Sequence, residues 1–170
     1  MKIIYRILLT INATSWMLII YVIKNGGTIG QVPPFLWSII MLLIPVILSL
    51  LSIFMAKFLS KDSLKECEEF SLADNEFLPT YLGYFFLSTG ISEDYTMILV
   101  YLIVFVFTYL SHTQYFNPMY LLFGYHYYHI LTSQGTRIFV IARGKVIRSK
   151  DSISFNNLRR VNDTTYIERS

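Results

Sequence analysis

Charge is scarce in this sequence, and its distribution says more than its amount. No Asp, Glu, Lys or Arg lies between Lys24 and Lys57, and none interrupts the apolar runs at Ile7–Ile23, Phe77–Ser92 or Tyr95–Leu110. Only 15% of the 170 residues are charged against 54% hydrophobic, too little charge to clothe a soluble domain of this size. Proton-coupled transporters and voltage sensors need ionisable groups inside their spans, so the empty interiors exclude that class. Cysteine is limited to Cys67, which rules out an intrachain disulfide and implies no oxidising compartment. Glycine-rich phosphate loops, serine-hydrolase elbows and paired-carboxylate signatures are all missing. The residues therefore suggest no enzyme, no catalytic group and no cofactor. Internal repeats and low-complexity tracts are also lacking.

What is present is apolar length. Phe35–Ala56 reads FLWSIIMLLIPVILSLLSIFMA, about the ~20 residues that cross a hydrocarbon core. Each Leu, Ile, Phe or Val near its centre favours insertion by about 0.3 to 0.6 kcal/mol. Pro45 removes a backbone donor there and predicts a packing kink. Met1–Ile23 could pass for a signal peptide, but hydrophobicity resumes after Ala13-Thr14-Ser15 with Trp16–Ile23, so an uncleaved first span is expected. Within it Thr10, Asn12 and Thr14 are read as bonding neighbouring helices. Lys24–Pro34 is a glycine- and proline-rich connection. Tyr95–Leu110 reads as a further span. Phe77–Ser92 is the weakest, since 16 helical residues reach only about 24 Å. Crossing there gathers Lys2, Arg6, Lys57, Lys61, Lys65 and the basic tail on one side, the positive-inside arrangement.

The expectation is a mainly α membrane protein of the bacterial inner membrane, with four transmembrane helices, both termini cytoplasmic, and a small cytoplasmic β-rich tail. A transmembrane domain at 1–116 would carry a cytoplasmic, mixed-charge helical loop at 57–76. The tail at 117–170 would begin at the breaker Asn117-Pro118. Strands are expected at Tyr125–Leu131, Arg137–Arg143, Val146–Arg148, Ile153–Leu158 and Thr164–Glu168, punctuated by Gln134-Gly135 and Gly144-Lys145. About 45 residues are too few for a core of their own, so the meander should lean on the membrane face, the middle loop or a second copy.

Candidate chemistry is sparse. His126 and His129 point to opposite faces of a strand, and with His112 they offer no metal site without carboxylates or thiols nearby. Cys67 lies between Glu66 and Glu68, surroundings that raise a thiol pKa and argue against a nucleophile. Partner-binding candidates are Glu66 and Glu69 in the loop and Arg143, Arg148 and Arg160 in the tail. Charge reversal at any of those arginines should disturb docking or orientation more than insertion. Basic residues interleaved with Tyr120, Phe123, Tyr125, Tyr127 and Tyr128 invite a nucleic-acid reading, yet contact with anionic headgroups is preferred; no direct nucleic-acid binding is expected. Asn12 and Ser49 leave a pore through an oligomer as the alternative function.

Four apolar segments, the mixed-charge loop Lys57–Glu76, and a basic β-rich tail opened by Asn117-Pro118 and Gly124-Tyr-His-Tyr-Tyr-His129 resemble KwaA, the membrane component of the Kiwa anti-phage defence system. The likeness covers the full chain. It implies an inner-membrane homo-oligomer embedded in the lipid bilayer, which detects infection and works with a cytosolic DNA-binding effector, KwaB. It supplies no catalytic signature to carry over.

Overall fold

The structure, a computed structural model, describes residues 2–26, 32–64, 67–111, 115–144 and 155–168. Five α-helices and six strands occur among them: α1 (Lys2–Lys24), α2 (Pro34–Met55), a 3-10 turn at Ala56–Phe58, β1 (Lys61–Leu64), β2 (Cys67–Leu72), α3 (Phe77–Gly90), α4 (Asp94–Leu110), α5 (Pro118–Leu122), β3 (Tyr125–Thr132), β4 (Arg137–Arg143), β5 (Phe155–Arg160) and β6 (Thr165–Glu168).

The expected architecture is wrong in two respects. Among the described residues two segments, not four, have the length and hydropathy to cross a membrane: Lys2–Lys24 and Pro34–Phe58. At about 1.5 Å per residue the 14 residues of α3 rise ~21 Å and the 17 of α4 ~25 Å, both short of a ~30 Å core. The charges flanking α3 suit a crossing and α4 is apolar throughout, but neither helix has the length. The second error is the loop at 57–76. Among the described residues it forms no α-helix before Phe77; it ends a 3-10 turn and supplies β1 and β2, so the sheet is larger than a tail meander and has six strands of mixed direction.

The helices pack around α1, which touches α2, α3 and α4. Met17, Tyr21, Tyr84 and Met97 form their inner cluster. Basic side chains satisfy helix ends, where carbonyls lack intrahelical donors. Lys24 Nζ donates to the carbonyls of Thr89 and Ile91 at 2.9 and 2.8 Å, closing α3. Arg6 donates to the Tyr109 carbonyl at 3.2 Å and lies over the Tyr109 ring, closing α4. Tyr21 donates to Asp94 at 2.7 Å. Pro45 sits inside α2 without ending it.

Strand order is β1-β5-β6-β4-β3-β2, antiparallel except for β4 with β6. A flat six-stranded sheet would hold its edges about 24 Å apart. Yet β1 and β2 are separated by two residues in sequence, a link that reaches at most ~11 Å. The sheet must curl until its edges approach. Taken as two lengths of one bent strand, β1 and β2 close a small Greek-key barrel. Register shifts in both supply the bend. Tyr128, Ile130, Ile138, Val140, Ala142 and Leu158 fill one side of the sheet. The other side carries Tyr125, Tyr127, Phe139, Ile141 and Ile167, packed with Tyr5, Ala56, Tyr115, Phe116 and Tyr120 from the helical half. That two-sided burial explains why five successive residues of β4, Ile138–Ala142, are all buried.

β3, β4 and β6 begin and end within a residue of expectation, while β5 runs two residues later than expected, Phe155–Arg160. The tail is not the expected meander, since β4 pairs in parallel with β6 and not with β5, but it does lean on the middle loop through β1 and β2. Gly135 makes the hairpin turn with φ 75°, a left-handed conformation that glycine adopts without strain. The strand expected at Val146–Arg148 lies outside the described residues.

Candidate functional site

The two halves meet at Asn117. An Asn-Pro pair starts a helix naturally, because asparagine can cap and proline tolerates the first helical position. Asn117 Oδ1 accepts the Met119 N–H at 2.9 Å and thereby opens α5. Its amide Nδ2 donates to Ser49 Oγ at 3.0 Å. Its backbone N–H donates to the Tyr127 hydroxyl at 2.8 Å, and that hydroxyl donates back to the Asn117 carbonyl at 2.9 Å. One residue thus binds the middle of α2 with its side chain and the face of β3 with its backbone.

Ser49 extends the chain into α1. Asn12 Nδ2 donates to Ser49 Oγ at 3.1 Å, and Ser49 donates to the Pro45 carbonyl at 2.6 Å. A hydroxyl has two acceptor positions and one proton; here two amides fill the first and Pro45 takes the second. One turn on, Ser52 donates to the Ser49 carbonyl at 2.7 Å. Its proton being committed, the 2.6 Å contact with Tyr120 is donated by the tyrosine. Asn12, Ser49, Ser52, Asn117, Tyr120 and Tyr127 are all at most 2% exposed. Burial pushes the Tyr120 and Tyr127 hydroxyls well above the usual phenol range, so both remain neutral donors. Leaving any member unpaired would cost about 1–3 kcal/mol.

Two further ties flank the junction. Tyr81 of α3 directs its hydroxyl at the carbonyls of Phe116 (3.0 Å) and Ala13 (3.2 Å). Asp74, between β2 and α3, accepts the Tyr127 N–H through Oδ1 at 2.8 Å, while its Oδ2 is 2.7 Å from His126 Nδ1. His129 Nε2 lies 2.9 Å from Glu76 at the start of α3. The two histidines face opposite sides of β3, each with its own carboxylate. Among the described residues no group of three or more His, Cys, Asp or Glu could hold a metal ion.

The partner-binding candidates are scattered. Glu69 is exposed on β2, opposite Leu131. Arg143 ends β4 near the Tyr125 ring, about 20 Å along β3 from Glu69. Arg160 ends β5 and is paired with Asp163 at 2.7 Å. Glu66 and Arg148, like His112, lie outside the described residues. Sequence reasoning singled out Asn12 and Ser49 as polar intruders and Asn117-Pro118 as a breaker. Nothing in the spacing, 37 and 68 residues apart, said they would meet.

A sequence model of the family described as Anti-phage protein KwaA matches residues 5–167. The chain belongs to that family. No curated protein and no solved structure matches it. The KwaA match takes in every residue of the junction, from Tyr5 through Ser49 and Asn117 to Ile167. The resemblance read from the layout thus holds at family level, and KwaA is a family of anti-phage defence proteins.

Proposed function

We propose that this KwaA-family chain is a membrane-embedded sensor and scaffold. Its α1 and α2 cross the bacterial inner membrane as a hairpin, which puts the N-terminus and the sheet on the same, cytoplasmic, side. There the sheet recruits or regulates a cytosolic DNA-binding effector of the KwaB kind. The carrying observation is the hydrogen-bonded path Asn12–Ser49–Asn117–Tyr127. A shift of α1 against α2 cannot leave it intact without moving the β3 face, so a disturbance among the helices becomes a change in the sheet.

The membrane reading draws on the inverted polarity of α2. It buries Pro45, Ser49 and Ser52 and exposes Phe35, Leu43, Ile47, Leu50 and Phe54, a pattern that suits lipid and not water. No catalytic step is assigned. Nor is direct nucleic-acid binding, because the β3–β4 face that such Greek-key barrels offer to oligonucleotides is filled here by Phe116 and Tyr120. The alternative, a pore that depolarises the membrane, needs polar side chains free to line a lumen; Asn12 and Ser49 are bonded to one another within a single copy.

The test is co-purification in mild detergent with the product of the neighbouring gene, combined with membrane flotation. Retention of a soluble effector by floated protein, lost in Arg143→Glu or Arg160→Glu without loss of flotation, supports the reading. No retention, or a collapse of membrane potential on infection caused by this chain alone, rejects it.

A further inference from the structure

The helices stand on one face of the sheet by their ends. Contact comes from Tyr5 and Leu9 near the start of α1, Met55 at the end of α2 and Phe77 at the start of α3. Farther along the helices, Met17, Tyr21, Tyr84 and Met97 form a cluster of their own, away from the sheet. On the contacted face, directly opposed side chains make rows. Tyr127 lies with Ile141, then His129 with Phe139 and Ser71, then Leu131 with Arg137 and Glu69. Phe116 and Tyr120 cover the Tyr127 row. The Leu131 row lies farther along β3, about 13 Å from Tyr127, and its Glu69 and Arg137 are exposed. Beside it is an open cavity of ≈ 470 Å³, lined by strand and turn residues only, Thr164 among them. The bare end of this face therefore looks the way the helices point.

We infer that this cavity seats the headgroup of a zwitterionic phospholipid with a primary ammonium, of the phosphatidylethanolamine class. With α1 and α2 entering the bilayer from this face, the part of it outside their footprint meets the headgroup layer beside them. The inference rests on the proposed membrane reading for that source of ligand. The charges specify its chemistry. His129 is engaged by Glu76 at 2.9 Å. That leaves one carboxylate, Glu69, and one guanidinium, Arg137, neither with an ionic partner among the described residues. Strands lie about 4.8 Å apart, so β2 and β4, on either side of β3, hold the two about 10 Å apart. A phosphate and an ammonium joined by an ethylene link fit between side chains that reach inward over that span. Arg137 is placed to take the phosphate through paired N–H donors, with the Thr164 hydroxyl at the same edge of β4. Glu69 and the Ser71 hydroxyl, both on β2, are placed to accept the ammonium N–H groups. Leu131, between the charges, meets the link. A headgroup with a phosphate and no cation would set its charge against Glu69, and a quaternary ammonium has no N–H to give.

The experiment is lipid retention by the full chain. Protein in mild detergent is exchanged with vesicles of equal parts phosphatidylethanolamine, phosphatidylcholine and phosphatidylglycerol, repurified, and its bound lipid counted by mass spectrometry. Phosphatidylethanolamine should exceed each of the others by about tenfold, the worth of a charged hydrogen bond. Arg137→Ala should lower it by a similar factor, and Glu69→Arg should turn the preference toward phosphatidylglycerol. Asp163→Asn, at an exposed turn, should leave the distribution alone. An unchanged melting temperature shows that each variant is folded, and the preference of the unaltered chain stands as a test without any variant. Equal retention of the three lipids overturns the inference. So does a preference indifferent to Arg137→Ala and Glu69→Arg, the result expected of lipid held by the helices alone or of a face occupied by protein. Flotation of the same samples reports separately on the membrane reading. A chain that does not float but retains phosphatidylethanolamine through Glu69 and Arg137 refutes that reading and keeps the site; one that floats without the preference does the reverse.

Discussion

The helices and the sheet solve the burial problem with opposite chemistry. In α2 the buried positions are Pro45, Ser49 and Ser52, while leucines, isoleucines and phenylalanines face outward. In β4 the buried positions are Ile138–Ala142, and the exposed ones are arginines at either end. A hydrophobic residue gains by leaving water but gains nothing by leaving lipid. Helices in an apolar solvent therefore hold together through small side chains, close packing and hydrogen bonds. The sheet holds together by removing apolar surface from water. On the proposed membrane reading, the junction at Asn117 is where one regime gives way to the other: Ser49 and Asn12 on one side, the rings of Tyr127, Phe116 and Phe139 on the other.

That contrast can be attacked from both sides. The largest effect should come from Ile141→Ala, which empties a site buried on the sheet's helix-facing side. Truncations of this kind cost about 2–5 kcal/mol, and unfolding of the purified protein in detergent should show it. Ile47→Asp should cost ~3 kcal/mol of insertion if the outward face of α2 meets lipid. If it meets water the change should fall within about 0.5 kcal/mol and yield in the membrane fraction should be unaffected, which would erase the contrast. Asn117→Ala deprives Ser49 Oγ of one of its two amide donors and removes the α5 cap, together about 2 kcal/mol, readable in the same unfolding experiment.

The smallest effect sharpens the picture at the sheet. Burial raises the Glu168 carboxyl above its usual range. A carboxyl whose folded-state pKa is raised opposes folding once the pH rises through that value, and makes no difference below the unfolded value near 4. Glu168→Gln should therefore stabilise by about 0.5 kcal/mol or less at neutral pH, with the gain vanishing on acidification. A thermal melt at two pH values checks it.

The sequence is legible where a local signal and the final environment agree. β3 and β4 are aromatic and β-branched runs separated by Gln134-Gly135, and both strands and their turn are present in the structure. Lys57–Glu76 misleads for the opposite reason. Its lysines and glutamates are helix formers by intrinsic preference, but β1 and β2 are made by pairing with β5 and β3, and strand formation depends on such context more than on propensity. The charges flanking α3 and the apolar run of α4 both point to a crossing, but 14 and 17 helical residues are too short for one. At the junction, the polar residues of α1 and α2 were visible as departures from an apolar run. Their partner was not, since Asn117 lies 68 residues from Ser49 and its local role as a cap hides its distant one.

The central claim is that the helices act on the sheet through Asn117 and Tyr127, and Tyr127→Phe tests it most directly because it removes one oxygen from the path and leaves the ring packing in place. Protection of cells against phage, measured at matched protein levels in the membrane, should fall sharply in this variant while fold and effector retention persist. Full protection by Tyr127→Phe would contradict the claim.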